Sequence, residues 1–160
     1  MPTPLIPPAS LSIINEAIQV EFDAFFMYRH LANQAQRLGL FGLAKYFIGE
    51  SIDELSHYQQ HADFLNERGT VAMLPSVEPM DNTVLGIKDA LTIAYNAEVE
   101  LGDKYSEWYS ELMSDDPVTA QHLFQFLEIQ RKSIGEYADW LSRLNLVTGS
   151  VILIDQELGA

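Results

Sequence analysis

The sequence predicts an all-α fold: a four-helix bundle with one long crossover between helices two and three and a short fifth helix at the C-terminus. Three observations predict it. Apolar residues recur at alternating three- and four-residue steps over four long segments. Strand patterns are nearly absent. The one long interruption, "TVAMLPSVEPMDNT", carries two Pro and no helical period, which reads as a loop.

The elements follow in order. Residues 1–9 form an N-terminal arm, with four Pro in "MPTPLIPPAS" holding it extended. The four-helix bundle spans 10–147. Helix one runs from about Ser10 to Leu38, with Ser10 or Ser12 as its cap, and "LGLFG" turns the chain. Helix two runs from about Leu43 to Arg68 and stops at Gly69. Helix three runs from about Val84 to Met113. "SDDP" turns the chain again and caps helix four, which ends near Leu146. "TGS" breaks that helix, and "VILIDQEL" makes the short final helix within 148–160.

The long loop constrains the topology. Two antiparallel neighbours need only a few connecting residues. A helix of about 27 residues is about 40 Å long, and about fifteen extended residues reach about 50 Å. The loop is therefore able to run the length of the bundle and start helix three at the end where helix two starts. This one-crossover arrangement is known among helix bundles.

Composition bounds the function. The chain has 160 residues, 48% hydrophobic and 20% charged, which suits one globular domain. It has no Cys, so disulfides, thiolate zinc sites, iron–sulfur clusters and a thiol nucleophile are excluded. Nine Lys and Arg against 23 Asp and Glu give a net charge of −14, which disfavours nucleic acid and favours cations. No apolar run approaches a membrane span, and the N-terminus does not read as a secretory signal. The expected location is the cytoplasm, or an organelle stroma.

The core stripes carry the functional signal. Helix one reads Ile14, Ala17, Glu21, Ala24, Tyr28, Leu31, Ala35. Helix two reads Leu43, Phe47, Glu50, Glu54, His57, His61, Phe64. Helix three reads Ile87, Leu91, Ala94, Glu98, Leu101, Tyr105, Trp108, Leu112. Helix four reads Leu123, Leu127, Gln130, Ile134, Tyr137, Leu141, Leu144. Each stripe is otherwise apolar or aromatic and has a polar group near its middle. If helices two and three run parallel, Glu21, Glu54, Glu98 and Gln130 fall within about two turns of one level.

Burying three carboxylates together is unfavourable, because like charges repel and each loses its hydration. A cation removes both objections. Glu54 and His57, at i and i+3, share one helical face, so one metal is able to take both. Carboxylate oxygen with imidazole nitrogen suits iron or manganese. Three Glu and one His in a four-helix core point to two metals, with Glu54 as the bridge. Tyr28, two turns from Glu21, is either a core residue hydrogen-bonded to a carboxylate or a redox group. Glu50 and Asp53 are either further metal ligands or wet acids at the bundle edge. His61 reads as structural and Glu128 as solvated. A second apolar strip on helix one, Ile18, Phe22, Phe25, Phe26 and Met27, suggests a subunit interface or a broad core.

On these residues the chain resembles the ferritins, of the non-haem prokaryotic or cyanobacterial type, over nearly all of its length after the arm. The motifs are "VEFDAFFMY" with Glu21 and Tyr28, "DELSH" with Glu54 and His57, "NAEVEL" with Glu98, then Gln130 and the ending "ILIDQEL". A bacterioferritin would repeat Glu-x-x-His in the second helix pair, whereas here Glu98 is followed by Gln130. The resemblance implies a ferritin-like bundle with a di-iron ferroxidase centre. Glu21 and His57 would bind the first iron, Glu54 would bridge, Glu98 would bind the second, and Gln130 would be a hydrogen-bonding partner. Tyr28 would be a nearby electron donor. It also implies oxidation of Fe²⁺ by O₂ or H₂O₂ and storage of ferric mineral in a homo-oligomeric shell of 24 subunits.

One departure stands out. Many bacterial ferritins place acids of a third iron site on helix four, where this chain has Lys132, Ser133 and Ile134. Glu50 and Asp53, with Tyr28, are then candidates for alternative iron positions. Two other readings compete. One is a di-iron or iron–manganese oxidase acting on an organic substrate, which needs an apolar pocket beside the metals. The other is a catalytically silent structural subunit.

Overall fold

A computed structural model of the protein describes residues 3–160, so Met1 and Pro2 of the expected arm lie outside the described residues. Five helices follow in order: α1 (Pro8–Arg37), α2 (Phe41–Glu67), α3 (Ile87–Leu112), α4 (Pro117–Leu146) and α5 (Ile152–Leu158). No strand occurs among the described residues, and none of the helices there is long and apolar enough to cross a membrane.

The ends of the helices follow local chemistry. Pro8 and Pro117 open α1 and α4, where their missing N–H costs nothing. Gly39 and Gly69 stop α1 and α2 at φ +79° and +78°, a backbone that other residues adopt only with strain. α4 is capped as expected: Asp116 accepts from the Thr119 backbone N–H. α1 differs from expectation. It starts two residues earlier than Ser10 and has no side-chain cap. The Ser10 hydroxyl instead donates to Asp116 at 2.6 Å, tying the start of α1 to the start of α4. The proline ring pre-sets the helical φ, so the first turn forms without a capping serine.

The loop contacts fix the topology. Leu5 N–H donates to Arg68 C=O, so the loop begins beside the N-terminal end of α1. Gln19 then donates to Ser76 C=O, and Gln34 Nε2 to Asn82 C=O. Val84 N–H donates to Gln34 Oε1, near the C-terminal end of α1. The loop thus climbs the whole of α1. α3 starts beside the N-terminal end of α2 and runs parallel to it, the crossover that loop length permits. α1 packs against α2, and α3 against α4.

The apolar core falls into two halves. One holds Met27, Tyr28, Leu31, Phe47, Leu91, Ala94 and Tyr137. The other holds Ile14, Ile18, Phe64, Leu101, Tyr105, Leu123 and Phe126. Between them each of α1 to α4 contributes a buried polar residue, and these form one slab across the bundle.

Candidate metal centre

The slab contains Glu21 from α1, Glu54 and His57 from α2, Glu98 from α3 and Gln130 from α4. All are buried except His57, whose side chain is 12% exposed. His57 Nδ1 lies 3.4 Å from Glu21 Oε2 and 3.2 Å from Glu54 Oε2. Glu21, Glu54 and His57 each offer a ligand atom, and these atoms lie within 4.8 Å of one another.

The protons are arranged by this crowding. Burial favours the neutral form of Glu21, but Glu54, His57 and His61 outweigh it and lower its pKa to about 2. Burial and the charge of Glu21 push Glu54 well above the usual carboxyl range. Burial lowers His57, but its two carboxylate partners dominate and raise it to about 10. The metal-free trio is therefore a carboxylate, a carboxylic acid and an imidazolium. Two protons neutralise the site, and a divalent cation would displace them.

Two oxygens have no such compensation. Glu98 Oε2 and Gln130 Oε1 are buried without a hydrogen-bond partner, while Glu21 Oε2 has the His57 imidazolium at 3.4 Å. An orphaned buried acceptor costs about 1–3 kcal/mol, so two in one slab call for a cation or its water. Tyr28 donates its hydroxyl to Glu98 Oε1. Burial first, then Glu21, raises the Glu98 pKa to about 7.

Glu50 and Asp53 are placed apart from the trio. Glu50 is half-buried one turn before Glu54, and burial with Glu98, Asp53 and Glu136 nearby lifts its pKa to about 7. Asp53 is exposed. Glu128 is exposed and pairs with Lys132 at 3.4 Å and Arg131 at 3.9 Å, in line with a solvated residue.

A second set of polar residues extends the slab downward. Tyr105 donates its hydroxyl to Glu21 Oε1. The Tyr105 oxygen is 2.7 Å from His61 Nε2, and His61 Nδ1 is 2.9 Å from His122 Nε2. With Tyr105 donating to Glu21, its oxygen accepts from His61 Nε2–H, and His61 Nδ1 accepts from His122 Nε2–H. Both imidazoles are held neutral by burial, with pKa values of about 3 and 4. His61 is thus structural, as its position predicts, but its partners were not foreseen. The seam spacing held the signal: Tyr105 is two turns after Glu98 and His122 about two turns before Gln130.

The chain matches the family model of the ferritin-like domain over residues 11–147. It is 22% identical over 153 residues to a probable bacterial non-heme ferritin-like protein of Haemophilus influenzae, covering 93% of each. It is 31% identical over 147 residues to the chloroplastic ferritin-2 of Glycine max, covering 86% of this chain and 57% of the soybean protein. An open-pore ferritin of the archaeon Archaeoglobus fulgidus superposes with a TM-score of 0.92 at 23% identity, covering 96% of this chain and 98% of the archaeal one. The fold, the sequence match across the whole bundle and the polar slab agree, and the chain belongs to the ferritin family.

Proposed function

We propose that this protein takes up Fe²⁺, oxidises it at a di-iron site inside the bundle and stores the Fe³⁺ as mineral within a homo-oligomeric shell. Family membership supports iron storage broadly. The observation that carries the finer reading is the buried Glu21–Glu54–His57 group, with the unpartnered oxygens of Glu98 and Gln130 around it.

In this reading Glu21 and His57 bind one Fe²⁺, Glu54 gives up its proton and bridges, and Glu98 binds the second. Gln130 hydrogen-bonds beside the pair. Anionic carboxylate oxygens are hard ligands and bind the more highly charged ion better, so they favour oxidation by O₂ or H₂O₂. Tyr105 holds Glu21 in place from one side, and Tyr28 holds Glu98 from the other. Glu50 is assigned to a further iron position and Asp53 to its approach from solvent. The organic-substrate reading gains no support from the surface: neither of two clefts, of about 660 and 620 Å³, is lined by a residue of the slab.

The test uses purified metal-free protein in air. It should accelerate loss of Fe²⁺ and retain iron on size exclusion, and Glu54→Ala should abolish the acceleration. A protein that does neither overturns the reading. A wild-type rate equal to that of buffer, unchanged in Glu54→Ala, would identify a silent subunit.

A further inference from the structure

A single file of hydrogen bonds runs from the surface of α4 to the metal centre, and every donor in it points inward. It starts at Gln125, which is exposed. The Gln125 side-chain nitrogen donates to the His122 backbone C=O at 3.0 Å. A carbonyl only accepts, so the amide nitrogen is the atom that faces the His122 ring, 3.3 Å from Nδ1. Nδ1 therefore accepts. The ring is neutral, and its one proton sits on Nε2. That proton is donated to His61 Nδ1 at 2.9 Å. His61, also neutral, then carries its proton on Nε2 and donates to the Tyr105 oxygen at 2.7 Å. One direction is left to the Tyr105 hydroxyl, and it donates to Glu21 Oε1.

Both ends impose the same direction. The surface carbonyl admits only a donor, and the Glu21 carboxylate only accepts. The other tautomer of His61 would bring a bare Nε2 to Tyr105 and draw the hydroxyl away from Glu21. His122 excludes that tautomer, although its own side-chain hydrogen bonds go to His61 and Gln125 and to no residue of the slab. The rings are held in place by stacking. His61 lies on Phe126 with centroids 4.3 Å apart, His122 on Phe64 at 4.1 Å and Tyr105 on Phe126 at 5.1 Å. Packing does not call for the imidazoles, because Phe or Leu would fill this half of the core without taking a donor out of water. What the imidazoles add is the fixed bond to Glu21 Oε1. It leaves Oε2 as the oxygen that faces His57, at 3.4 Å.

We propose that His61 and His122 are positioning residues for the first iron: acting through Tyr105, they hold the Glu21 carboxylate in one orientation, with Oε1 engaged and Oε2 presented to the metal. The proposal rests on the reading of Glu21 as an iron ligand. A carboxylate free to rotate must be ordered when the metal arrives, and that ordering costs affinity. A carboxylate already held by its far oxygen loses little. Groups that orient a ligand from behind typically change metal affinity by about 10–100-fold when they are removed. Tyr105 stands directly behind Glu21, and the two imidazoles stand one and two hydrogen bonds further back. Removing His122 belongs at the lower end of that range, about tenfold. The file binds no metal and passes no proton. It sets the direction of one hydrogen bond from a side chain at the surface.

The test compares His122→Phe, which keeps a ring to stack on Phe64 and lacks the donor, with His122→Gln, which restores a side-chain N–H. Assembled metal-free protein is titrated anaerobically with Fe²⁺ by calorimetry. The tautomer of His61 is read by nitrogen-15 solid-state NMR, its signals assigned by their loss in His61→Phe. Wild-type His61 should carry its proton on Nε2. His122→Phe should mix the two tautomers and weaken binding of the first Fe²⁺ about tenfold, and His122→Gln should restore both readouts. Phe64→Leu controls for packing, since it loosens the same cluster without removing a hydrogen bond, and its affinity should match wild type. Three results overturn the proposal and leave the ferroxidase reading standing: a wild-type His61 proton on Nδ1, an affinity unchanged in His122→Phe, or an equal loss in Phe64→Leu. A wild-type protein that binds no Fe²⁺ at this site overturns both.

Discussion

At the residue scale, the slab holds protons where the proposed function places iron. Glu98 and Glu50 have pKa values near 7 in the fold, against 4.5 for the free side chain. Through these two groups the folded state binds more protons than the unfolded one between about pH 4.5 and 7, and their contribution to stability is lost as pH rises across that window. His57 acts in the same direction at higher pH. Its contribution is complete below 6.5 and is lost as pH rises through about 10. His61 and His122 act oppositely: burial lowers them to about 3 and 4, so their contribution is present above 6.5 and is lost as pH falls, which offsets part of the trend. Glu21 also acts oppositely. Its contribution is present above 4.5 and is lost as pH falls through about 2. Metal-free protein should thus melt at a higher temperature at pH 5.5 than at pH 8. Glu98→Gln should flatten the difference, and saturating divalent metal should reduce it. Scanning calorimetry checks this. The Tyr105 hydroxyl yields a second expectation. Tyr105→Phe leaves Glu21 Oε1 and His61 Nε2 without their partner, which should cost about 1–3 kcal/mol. Chemical denaturation should show that loss, and the freed Glu21 should bind the first Fe²⁺ more weakly in a titration.

At the element scale, α5 is more than a tail. Asp155 accepts from the backbone N–H of Leu43 at 2.8 Å and of Gly42 at 3.2 Å. It caps α2 from 112 residues further along the chain, where α2 has no local cap. The approach is close enough that a Cβ on Gly42 would sit 1.7 Å from the Asp155 carbonyl oxygen. Lys45 and Arg143 add bonds to Gly159 and Glu157. Asp155→Ala should cost about 0.5–2 kcal/mol, the range for a lost N-cap. Gly42→Ala should release α5 altogether, because backbone, not a flexible side chain, occupies the space. Hydrogen exchange over 148–160 should rise sharply in Gly42→Ala, while α1, α3 and α4 stay protected.

At the scale of the whole molecule, one side of the bundle is unfinished. Phe26 is 47% exposed on α1, and Ile48, Ile52 and Leu55 form an exposed stripe at helical spacing on α2. Phe22 packs on Tyr58 between the two helices. The strip read on helix one therefore divides: Ile18 and Met27 belong to the core, while Phe26 faces out. An exposed apolar face of this kind marks an interaction surface, and the proposed shell supplies its partner as a second copy. Wild-type protein should then run as a large assembly of 18.0 kDa chains. Ile52→Arg combined with Phe26→Arg should reduce it to small species by light scattering. Those species should still oxidise Fe²⁺ and should fail to retain it as mineral.

The sequence by itself determined the helices, their buried stripes and the level at which Glu21, Glu54, His57, Glu98 and Gln130 meet. Helical periodicity is a local property, and a polar residue within an apolar stripe stands out without knowledge of its partners. The tertiary structure decided what depends on neighbours from distant segments. It joined Ser10 to Asp116, against the expected cap, because proline had already started α1. It set Tyr105, His61 and His122 behind Glu21. It also left Asp53 in solvent while Glu54, the next residue, was buried. Two adjacent acids on a helix point about 100° apart, and only the packing of the other helices decides which of them loses its water.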